Sequence, residues 1–528
     1  MKTKIFLRII IGIVTLILLI KLLTIIIIEP WIINKIQTVL NEKNRDYEFK
    51  IEKADISLVR SSIKLRKITI SSMKENAGRP ELTGEITSIN LKGIRLAKVL
   101  FKKDLCIKEV RISNISLKGN IPFSHKEKPP VLAPLNISIG SLLIDKINLA
   151  IKDSASAQFF SVREGILKVY DLHIDKHDTI NTGIIKQLDF DAEELLSVSP
   201  DSMYTYKGSN ISYSAASKTL TVKGFSIDPN YTNYKFAALH EFATDRINAL
   251  FSNIFVHNFS PGGYLKSKSL VSCFIEIGKM NVTVFRDNRK PFRHVKKSAF
   301  QDMIYNYPGR INIDSISILN GNVTYTQHSE KAKEPGRVSF NEINAKIFKI
   351  SNDTIYKTET AFLEIKGNAL LMGKGMMTIL LKSKIFDGRN TFLLNGTLSG
   401  MDARKLNPIL EKNAFISITS GIIDRLYFSF KANNTKATGH LTLLYHGLGI
   451  AIINKQTVKT TALKEQIFSL ILNKNIKDSN PIPGEKVREG IIDYESDPEK
   501  FLFGYCWKSI QSGIISSLDN SPKKKKKD

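Results

Sequence analysis

The N-terminus carries a long apolar stretch, Ile5 to Ile28, which reads IFLRIIIGIVTLILLIKLLTIIII. Only Arg8 and Lys21 are charged in these 24 residues. A helix of this length reaches about 36 Å at about 1.5 Å per residue, enough to cross a hydrocarbon core of about 30 Å. A secretory signal peptide has a shorter apolar stretch and a small-residue cleavage site, whereas this stretch runs into Glu-Pro-Trp. The sequence therefore predicts a transmembrane anchor over residues 1–28 and a single-pass protein.

The charges flanking this stretch predict its orientation. Lys2, Lys4 and Arg8 precede it or open it, and Glu29 is the first residue beyond it. Positively charged flanks stay in the cytoplasm, so everything after Trp31 is expected on the far side of the membrane.

In most of the rest of the chain apolar and polar residues alternate with a period of two. Residues 47–52 read Tyr-Glu-Phe-Lys-Ile-Glu, and strict apolar–polar alternation indicates strands with one apolar face. Ile, Val, Thr, Phe and Tyr, which pleated strands favour, dominate such runs. The runs are Ile63–Ile70, Ile107–Leu117, Leu135–Ile151, Phe159–Ile174, Ile211–Ile227, Val271–Phe285, Ile311–Tyr325, Val338–Ile350, Phe362–Leu371, Met377–Ile385, Phe392–Leu398, Phe415–Phe430 and Leu441–Ile453.

Helical patterns are few and short. Pro30–Asn41, Tyr234–Ala243, Ala299–Tyr307, Met401–Leu410 and Phe501–Leu518 are the candidates.

The last candidate has an apolar stripe at helical spacing, and its polar residues lie away from that stripe. We expect this stripe to cap the end of the sheet; a helix on a membrane surface is the alternative. The stripe consists of Phe503, Trp507, Ile510, Ile514 and Leu518.

Two segments repeat the same pattern. Ile137-Ser-Ile-Gly-Ser-Leu-Leu-Ile-Asp resembles Ile311-Asn-Ile-Asp-Ser-Ile-Ser-Ile-Leu, and each is followed by further alternating runs. Ile107–Leu117 and Phe274–Val284 are weaker copies. Repeated meanders of this kind stack into an elongated sheet.

The predicted fold class is mostly β: a transmembrane helix followed by an elongated, curled antiparallel sheet, taco-like, with a few short helices. Long apolar helices that could cover the apolar face are lacking, so the sheet must curl onto itself. The expected regions are an anchor (1–28), an N-terminal β-groove region (29–180), a middle β region (181–300), a C-terminal β-groove region (301–460), a helical segment (461–520) and a basic tail (521–528).

The net charge of +27 first suggests nucleic acid, because 77 Lys and Arg outnumber 50 Asp and Glu. Four of these positive charges lie in the anchor region, and five lysines and one aspartate form the tail. The remaining +19 is dispersed over polar strand positions, so no nucleic-acid partner is predicted.

Motifs for chemistry are also lacking. The chain has no phosphate-binding loop, dinucleotide fingerprint or zinc-protease motif, and its three cysteines lie far apart. His173 and His177 would lie about 13 Å apart along a strand, too far to share a metal ion. We therefore expect no enzyme, no cofactor and no metal site, while one disulfide stays possible.

The chain resembles the AsmA-like family, specifically its short single-pass bacterial members. The matching segments are the anchor with Pro30-Trp-Ile-Ile-Asn-Lys-Ile, then Tyr47-Glu-Phe-Lys-Ile-Glu-Lys-Ala-Asp-Ile-Ser-Leu, the repeat at Ile311, and Gly439-His-Leu-Thr-Leu-Leu-Tyr near the end. The resemblance implies an inner-membrane anchor in a Gram-negative bacterium, a periplasmic β-groove and a role in phospholipid transport or outer-membrane lipid homeostasis. It names membrane lipid, with phospholipid foremost, as the partner.

Two readings of the apolar face stay open at this point. In one reading it is a groove that binds lipid acyl chains. In the other it is a closed, dry core, and the protein is an envelope scaffold or assembly factor for outer-membrane proteins with unknown partners. The candidate groove-lining residues are Ile137, Ile139, Ile311, Ile313, Ile316, Ile318, Val323 and Tyr325.

Overall fold

The computed structural model describes residues 14–15, 18–19, 21–43, 47–57, 60–72, 81–95, 104–121, 136–174, 187–356, 362–453, 462–472 and 476–519. Most of the predicted anchor before Lys21, His177 and the basic tail lie outside the described residues. Two compact units make up the chain, Met1–Lys223 and Gly224–Asp528.

The first described helix extends over Lys21–Glu42 and is long and apolar enough to cross a membrane, judged by length and composition. It contains a π-helical turn at Thr24–Ile28, which leads into α1 (Glu29–Lys43). The predicted helix over Pro30–Asn41 is therefore confirmed.

Helix α1 packs on the first strand, β1 (Tyr47–Ser57). The Asn41 side chain accepts a hydrogen bond from the backbone N–H of Phe49 at 2.8 Å, and the Glu29 carboxylate accepts one from that of Ile56 at 3.2 Å. Ile33 and Ile36 add apolar contact with the sheet. These contacts join the apolar helix directly to the β structure.

The fold is mostly β, as predicted, and its strands form one curled, unclosed sheet with a few short helices. The other strands of the first unit are β2 (Ser62–Ser72), β3 (Glu81–Lys92), β4 (Asp104–Ile121), β5 (Asn136–Asp153), β6 (Phe159–Ile174), β7 (Gln187–Val198) and β8 (Tyr204–Ser214), and β9 (Thr219–Pro229) spans the boundary between the units. The strands of the second unit are β10 (Asp245–His257), β11 (Leu270–Asp287), β12 (Ile311–His328), β13 (Gly336–Ser351), β14 (Leu363–Leu371), β15 (Gly375–Ser383), β16 (Phe392–Asp402), β17 (Ile416–Ala432), β18 (Lys436–Ile452) and β19 (Glu489–Glu495).

Within each unit consecutive strands pair with each other, and most pairs are antiparallel. Two pairs are parallel: β4 with β5 and β11 with β12. In each parallel pair the second strand begins next to the start of the first strand, so both strands run in the same direction. The predicted antiparallel meander is thus interrupted once in each unit.

The two parallel pairs mark an internal repeat. Leu105 lies opposite Ile137 in the first unit as Leu270 lies opposite Ile311 in the second, and this register continues along both pairs. Strand β6 then pairs with β5 as β13 pairs with β12, and the register shifts at corresponding places. The repeat predicted at Ile137 and Ile311 is therefore a repeat of structure as well as of sequence.

Each copy carries the same β-bulge at its centre. Lys146 and Asn320 adopt the left-handed conformation at φ 52° and 49°, as do Glu164 and Glu342 on the neighbouring strands at φ 49° and 53°. A residue in this conformation is the usual device by which a bulge adds one residue to a strand.

An asparagine stabilises both bulges. The Asn148 side chain accepts a hydrogen bond from the backbone N–H of Glu164 at 3.0 Å, and Asn322 accepts one from that of Glu342 at 3.4 Å.

Seven α-helices are present among the described residues. Besides α1 they are α2 (Asn233–Ala238), α3 (Pro261–Ser267), α4 (Phe300–Tyr305), α5 (Asn407–Asn413), α6 (Ala462–Leu472) and α7 (Leu502–Leu518). Helices α2, α4, α5 and α7 fall inside or overlap the predicted helical segments.

The second unit contains the main closed core. It is built on β12 to β19 and includes Phe392, Phe428, Phe430, Leu441 and Ile492, all of them buried. Strands β18 and β19 are covered by α7.

The predicted orientation of α7 is correct toward its C-terminal end, where Leu518 is buried and Ile510 and Ile514 pack against the core, and wrong at its start. The buried residues of the helix are Tyr505, Ile515, Leu518 and the small residues Ser509, Ser512, Gly513 and Ser517, while Phe503 and Trp507 are 61% and 45% exposed. Close packing explains the difference. A Cβ atom on Gly513 would lie 2.7 Å from Ile492 Cγ1, so only a small residue lets the helix approach the sheet this closely.

A buried polar side chain holds the segment before β19 in place through hydrogen bonds. Asn480 is 1% exposed. Its amide donates to the carbonyl oxygens of Leu443 at 2.6 Å and Arg488 at 3.0 Å, and its side-chain oxygen accepts from the Arg488 N–H at 2.8 Å. The residue thus ties this segment to β18.

Candidate functional site

The first unit presents a continuous apolar face across eight strands. Directly opposite residues of paired strands lie on the same face, so the strand register defines rows of side chains. One row crosses every strand from β1 to β8 without a polar residue. It consists of Ala54, Leu65, Ile89, Ile112, Ile144, Leu167, Phe190 and Tyr213.

Two further apolar rows flank it. One row lies two residues from the central row and so shares its face; the other lies three residues away across a line of bulges, at which Lys67, Asn114 and Lys146 are left-handed, and the added residue restores the same face. The row on one side consists of Ile56, Ile63, Leu91, Val110, Leu142, Val169 and Leu188. The row on the other side consists of Ile51, Ile68, Ile86, Ile115 and Ile147.

The central row is buried at its ends and half-buried in its middle, while Val110 and Val169 of the flanking row are buried. Ala54 and Leu65 are buried near α1, and Tyr213 is buried on β8. Ile112, Ile144 and other residues between them are only half-buried. Among the described residues of the first unit, the one buried apolar cluster is Ile51, Ala54, Leu65 and Ile68, at the α1 end.

The three rows together cover an area that is longer across the strands than along them. Seven steps between neighbouring strands, at about 4.8 Å each, make about 34 Å across the strands. The three rows cover on the order of 14 Å along the strands, since one step spans two residues and the other spans three residues that include a bulge. An acyl chain can therefore lie along the rows with apolar side chains beneath it throughout.

Ile137 and Ile139, predicted from the sequence, extend this face beyond a second line of bulges. Ile137 lies opposite Leu105 and Ile174, and Ile139 lies opposite Ile107 and Leu172. The next residue, Gly140, is skipped in the register, so the alternation shifts by one and the apolar residues on both sides of it keep the same face.

On β4 this effect is visible in the burial. Ile107 and Val110 are both buried at 7% and 6%, although three residues separate them, and Lys108 and Arg111 are exposed. The bulge therefore preserves the apolar face rather than breaking it.

The other six predicted residues lie on β12 in the second unit, where the register gives each apolar neighbours. Ile316 lies between Ile275 and Ile347, and Val323 lies between Val282 and Phe340. Ile318 lies next to Ile277 and Ala345, and Tyr325 lies between Val284 and Val338.

Burial divides these six residues. Ile313 is buried and belongs to the closed core, whereas Ile311, Ile316, Ile318, Val323 and Tyr325 are half-buried. The face is thus less covered around Ile318, Val323 and Tyr325 than around Ile313, which packs with Ile350 and the core that continues toward β15–β18. Small residues allow the closure, as at Gly396, where the Phe428 ring occupies the space that a side chain would need.

The Tyr325 end of this face contains an ion pair. Asp245 accepts a hydrogen bond from the Arg286 guanidinium at 3.1 Å, and the two residues lie directly opposite each other. Burial raises the pKa of Tyr325, and the nearby Asp245 carboxylate raises it further. The Tyr325 hydroxyl therefore stays protonated at any physiological pH.

The described residues contain no group of three or more His, Cys, Asp or Glu that could hold a metal ion. The His173 ring lies 3.1 Å from the Ser138 hydroxyl. Cys106, Cys273 and Cys506 are all free thiols, so the disulfide left open by the sequence is absent. Burial raises the pKa of the Cys506 thiol to about 12.

Sequence reasoning missed part of the face because it missed the strands that carry it. Strands β3 and β7, which contribute Ile89, Leu91, Leu188 and Phe190, were not among the predicted runs. Their alternation is real but weak, since β7 reads QLDFDAEELLSV with four acidic residues. Finding β3 and β7 would have required their pairing register with neighbouring strands whose apolar–polar alternation is clear.

No protein-family model and no curated protein sequence matches this chain. The fold and the site define its class: a mostly-β protein with one N-terminal helix long and apolar enough to span a membrane, and a broad apolar face on its sheet.

Proposed function

We propose that this protein holds lipid acyl chains on the apolar face of its sheet. The observation that carries this proposal is the eight-strand apolar row of the first unit, whose middle residues are half-buried with no second layer over them among the described residues. An apolar surface of this size is comparable to the largest apolar patch of a typical monomer, and such patches are often functional.

The energy of such binding is sufficient. Burying one methylene group is worth about 0.8 kcal/mol. A chain of about 14 methylenes that is covered on one side gains about half of that per group, or about 5–6 kcal/mol. Two acyl chains on the same face bind more strongly, which favours a phospholipid over a single-chain lipid.

The location we propose is the inner membrane of a Gram-negative bacterium, with the N-terminus in the cytoplasm and the sheet in the periplasm. The basic residues before the apolar stretch and the resemblance to the AsmA-like family support it. The protein then contributes to phospholipid transport or outer-membrane lipid homeostasis. A periplasm-active reporter enzyme fused after Asp528 should be active, and an inactive fusion would contradict this topology.

Two neighbouring residues on β5 give a matched test of lipid binding. Ile144 lies in the central apolar row, while Leu143 lies on the opposite face between Arg111 and Lys168. The full chain is purified gently, and its bound lipid is measured by mass spectrometry. We expect Ile144→Glu to lose most of the phospholipid and Leu143→Glu to keep it.

A photo-crosslinking amino acid at each position separates direct contact from an indirect effect. Lipid adducts at Ile144 and none at Leu143 are the expected result. Equal lipid content in both glutamate variants, or no lipid on the wild-type chain, would contradict the proposal.

The closed core between β15 and β19 supports a second candidate function. A well-packed core of this kind also suits an envelope scaffold or an assembly factor for outer-membrane proteins. Crosslinking from Ile144 that captured only protein neighbours would favour this candidate over lipid binding.

A further inference from the structure

The start of α7 exposes large aromatic side chains to solvent. Phe501, Phe503 and Trp507 are 55%, 61% and 45% exposed. Phe503 and Trp507 are four residues apart and therefore lie on one side of the helix. Leaving three large aromatic residues in water is unfavourable, and such groups mark an interaction site.

Cationic side chains surround this group of aromatics. The Lys297 ammonium lies 5.3 Å from the centre of the Phe501 ring, and the Lys500 ammonium lies 3.5 Å from that of Phe292. The backbone N–H of Lys297 donates to the carbonyl of Pro498 at 2.8 Å, which fixes the two segments to each other.

The neighbouring charges are mostly positive. Residues 290–297 read KPFRHVKK, and in the sequence five consecutive lysines, 523–527, follow α7. Two acidic residues lie in the same segment: Asp497 accepts a hydrogen bond from the backbone N–H of Glu499 at 2.9 Å, and the Glu499 carboxylate is engaged by His294 at 3.0 Å. We refer to Phe292, Lys297, Lys500, Phe501, Phe503 and Trp507 together as the aromatic–lysine patch.

Aromatic rings and lysines in one patch whose Phe501, Phe503 and Trp507 are exposed match the chemistry of an anionic bilayer surface. Aromatic side chains prefer the boundary between headgroups and acyl chains, and each lysine near an anionic surface adds attraction. A protein partner offers no comparable reason for the combination of rings and like charges.

The patch is also continuous with the apolar face. The Phe503 ring lies edge-on to the Phe340 ring, with 6.1 Å between the two ring centres. Phe340 lies opposite Val323 on the half-buried part of the sheet. A bilayer that touched the patch would therefore lie at the margin of this face.

From these observations we infer that the aromatic–lysine patch docks on the surface of an anionic lipid bilayer. This contact is separate from the N-terminal helix, and it does not depend on whether the sheet binds acyl chains.

The two tryptophans of the chain make the inference directly testable, because Trp31→Phe leaves Trp507 as the only one. The full chain with this substitution is held in nanodiscs of phosphatidylcholine through its N-terminal helix. Vesicles with or without phosphatidylglycerol are then added, and flotation and Trp507 emission are measured.

We expect the anionic vesicles to carry the protein with them and to shift the Trp507 emission to shorter wavelength, while zwitterionic vesicles do neither. Brominated lipid in the anionic vesicles should quench the emission. Lys297→Gln with Lys500→Gln should weaken vesicle binding about 30-fold, and Phe501→Ser with Phe503→Ser about tenfold or more.

Matched controls use exposed residues outside the patch. Lys331→Gln with Lys333→Gln, and Leu265→Ser with Met303→Ser, should bind as well as the parent. Unchanged circular dichroism shows that each variant is folded.

Two results would overturn the inference. One is absence of binding to anionic vesicles; the other is equal binding by patch and control variants. If the protein does not bind anionic vesicles but lipid loaded onto the sheet quenches Trp507, docking is refuted while lipid binding by the sheet stands. If the protein binds anionic vesicles and Ile144→Glu keeps its lipid, docking stands while lipid binding by the sheet is refuted.

Discussion

The two glycines of α7 should respond in opposite directions to the same substitution. Gly513 faces the sheet, where an added Cβ atom would lie 2.7 Å from Ile492 Cγ1 and 3.0 Å from Leu441 Cβ. Carbon atoms normally pack at about 3.5–4.0 Å, so the helix or its neighbours must move by about 1 Å. Gly504 has only Lys500 Cβ within reach, at 3.7 Å.

These distances set the magnitude. Overpacking a core costs about 1–3 kcal/mol, while alanine gains up to about 1 kcal/mol over glycine inside a helix. Gly513→Ala should therefore lower the free energy of unfolding by about 1–2 kcal/mol. A loss of this size lowers the melting temperature of the second unit by about 2–5 °C. Gly504→Ala should leave it unchanged or raise it.

The assay is thermal unfolding of the full chain, followed by circular dichroism and by Trp507 emission in a Trp31→Phe background. Because Trp507 lies on α7, its emission reports whether the helix leaves the sheet before the strands unfold. The reasoning is refuted if Gly513→Ala is as stable as the parent, or if the two alanine variants shift the melting temperature in the same direction.

Three further predictions concern single side chains. Asn480→Ala removes three buried hydrogen bonds and should lower the free energy of unfolding by about 2–4 kcal/mol in urea titration; a loss below about 0.5 kcal/mol would contradict its assigned role. At pH 8 a thiol reagent should label exposed Cys273 at once and Cys506 only after unfolding, since burial raises the pKa of Cys506 to about 12; equal labelling rates would refute this. Hydrogen bonds from Arg404 lower the pKa of the Asp402 carboxyl to about 2, so its contribution to stability is present above about pH 4 and is lost as the pH falls through about 2; carboxyl NMR that showed an ordinary pKa would contradict it.

The strand content could be predicted because one face of the sheet is apolar and the other polar. Where that contrast is strong, as in β12, the predicted run Ile311–Tyr325 nearly matches the strand Ile311–His328. Where acidic residues dilute it, as in β7, the strand was missed. The parallel pairs could not be predicted, because alternation fixes which face a residue occupies but not the direction in which the strand runs.

The orientation of α7 shows a different limit. The C-terminal part of its apolar stripe packs on the core, yet Phe503 and Trp507 are exposed and small residues are buried beside the sheet, since Gly513 permits an approach to Ile492 that a larger residue would block. Helical periodicity identifies a stripe but does not reveal which surface the neighbouring strands can accept. For the candidate site, the eight predicted residues all lie in strands β5 and β12, while the rows that extend the face follow only from the register.

The two parallel pairs also bear on the order in which the chain folds. A hairpin forms between segments a few residues apart, whereas Leu105 and Ile137, or Ile277 and Ile318, must meet across a long intervening segment. Closing longer loops costs more entropy and slows pairing. Each unit should therefore assemble first as two blocks of hairpins, joined last along its parallel seam. Until that seam closes, β4 and β11 have unpaired edges, so the nascent chain is most exposed to aggregation at these two strands.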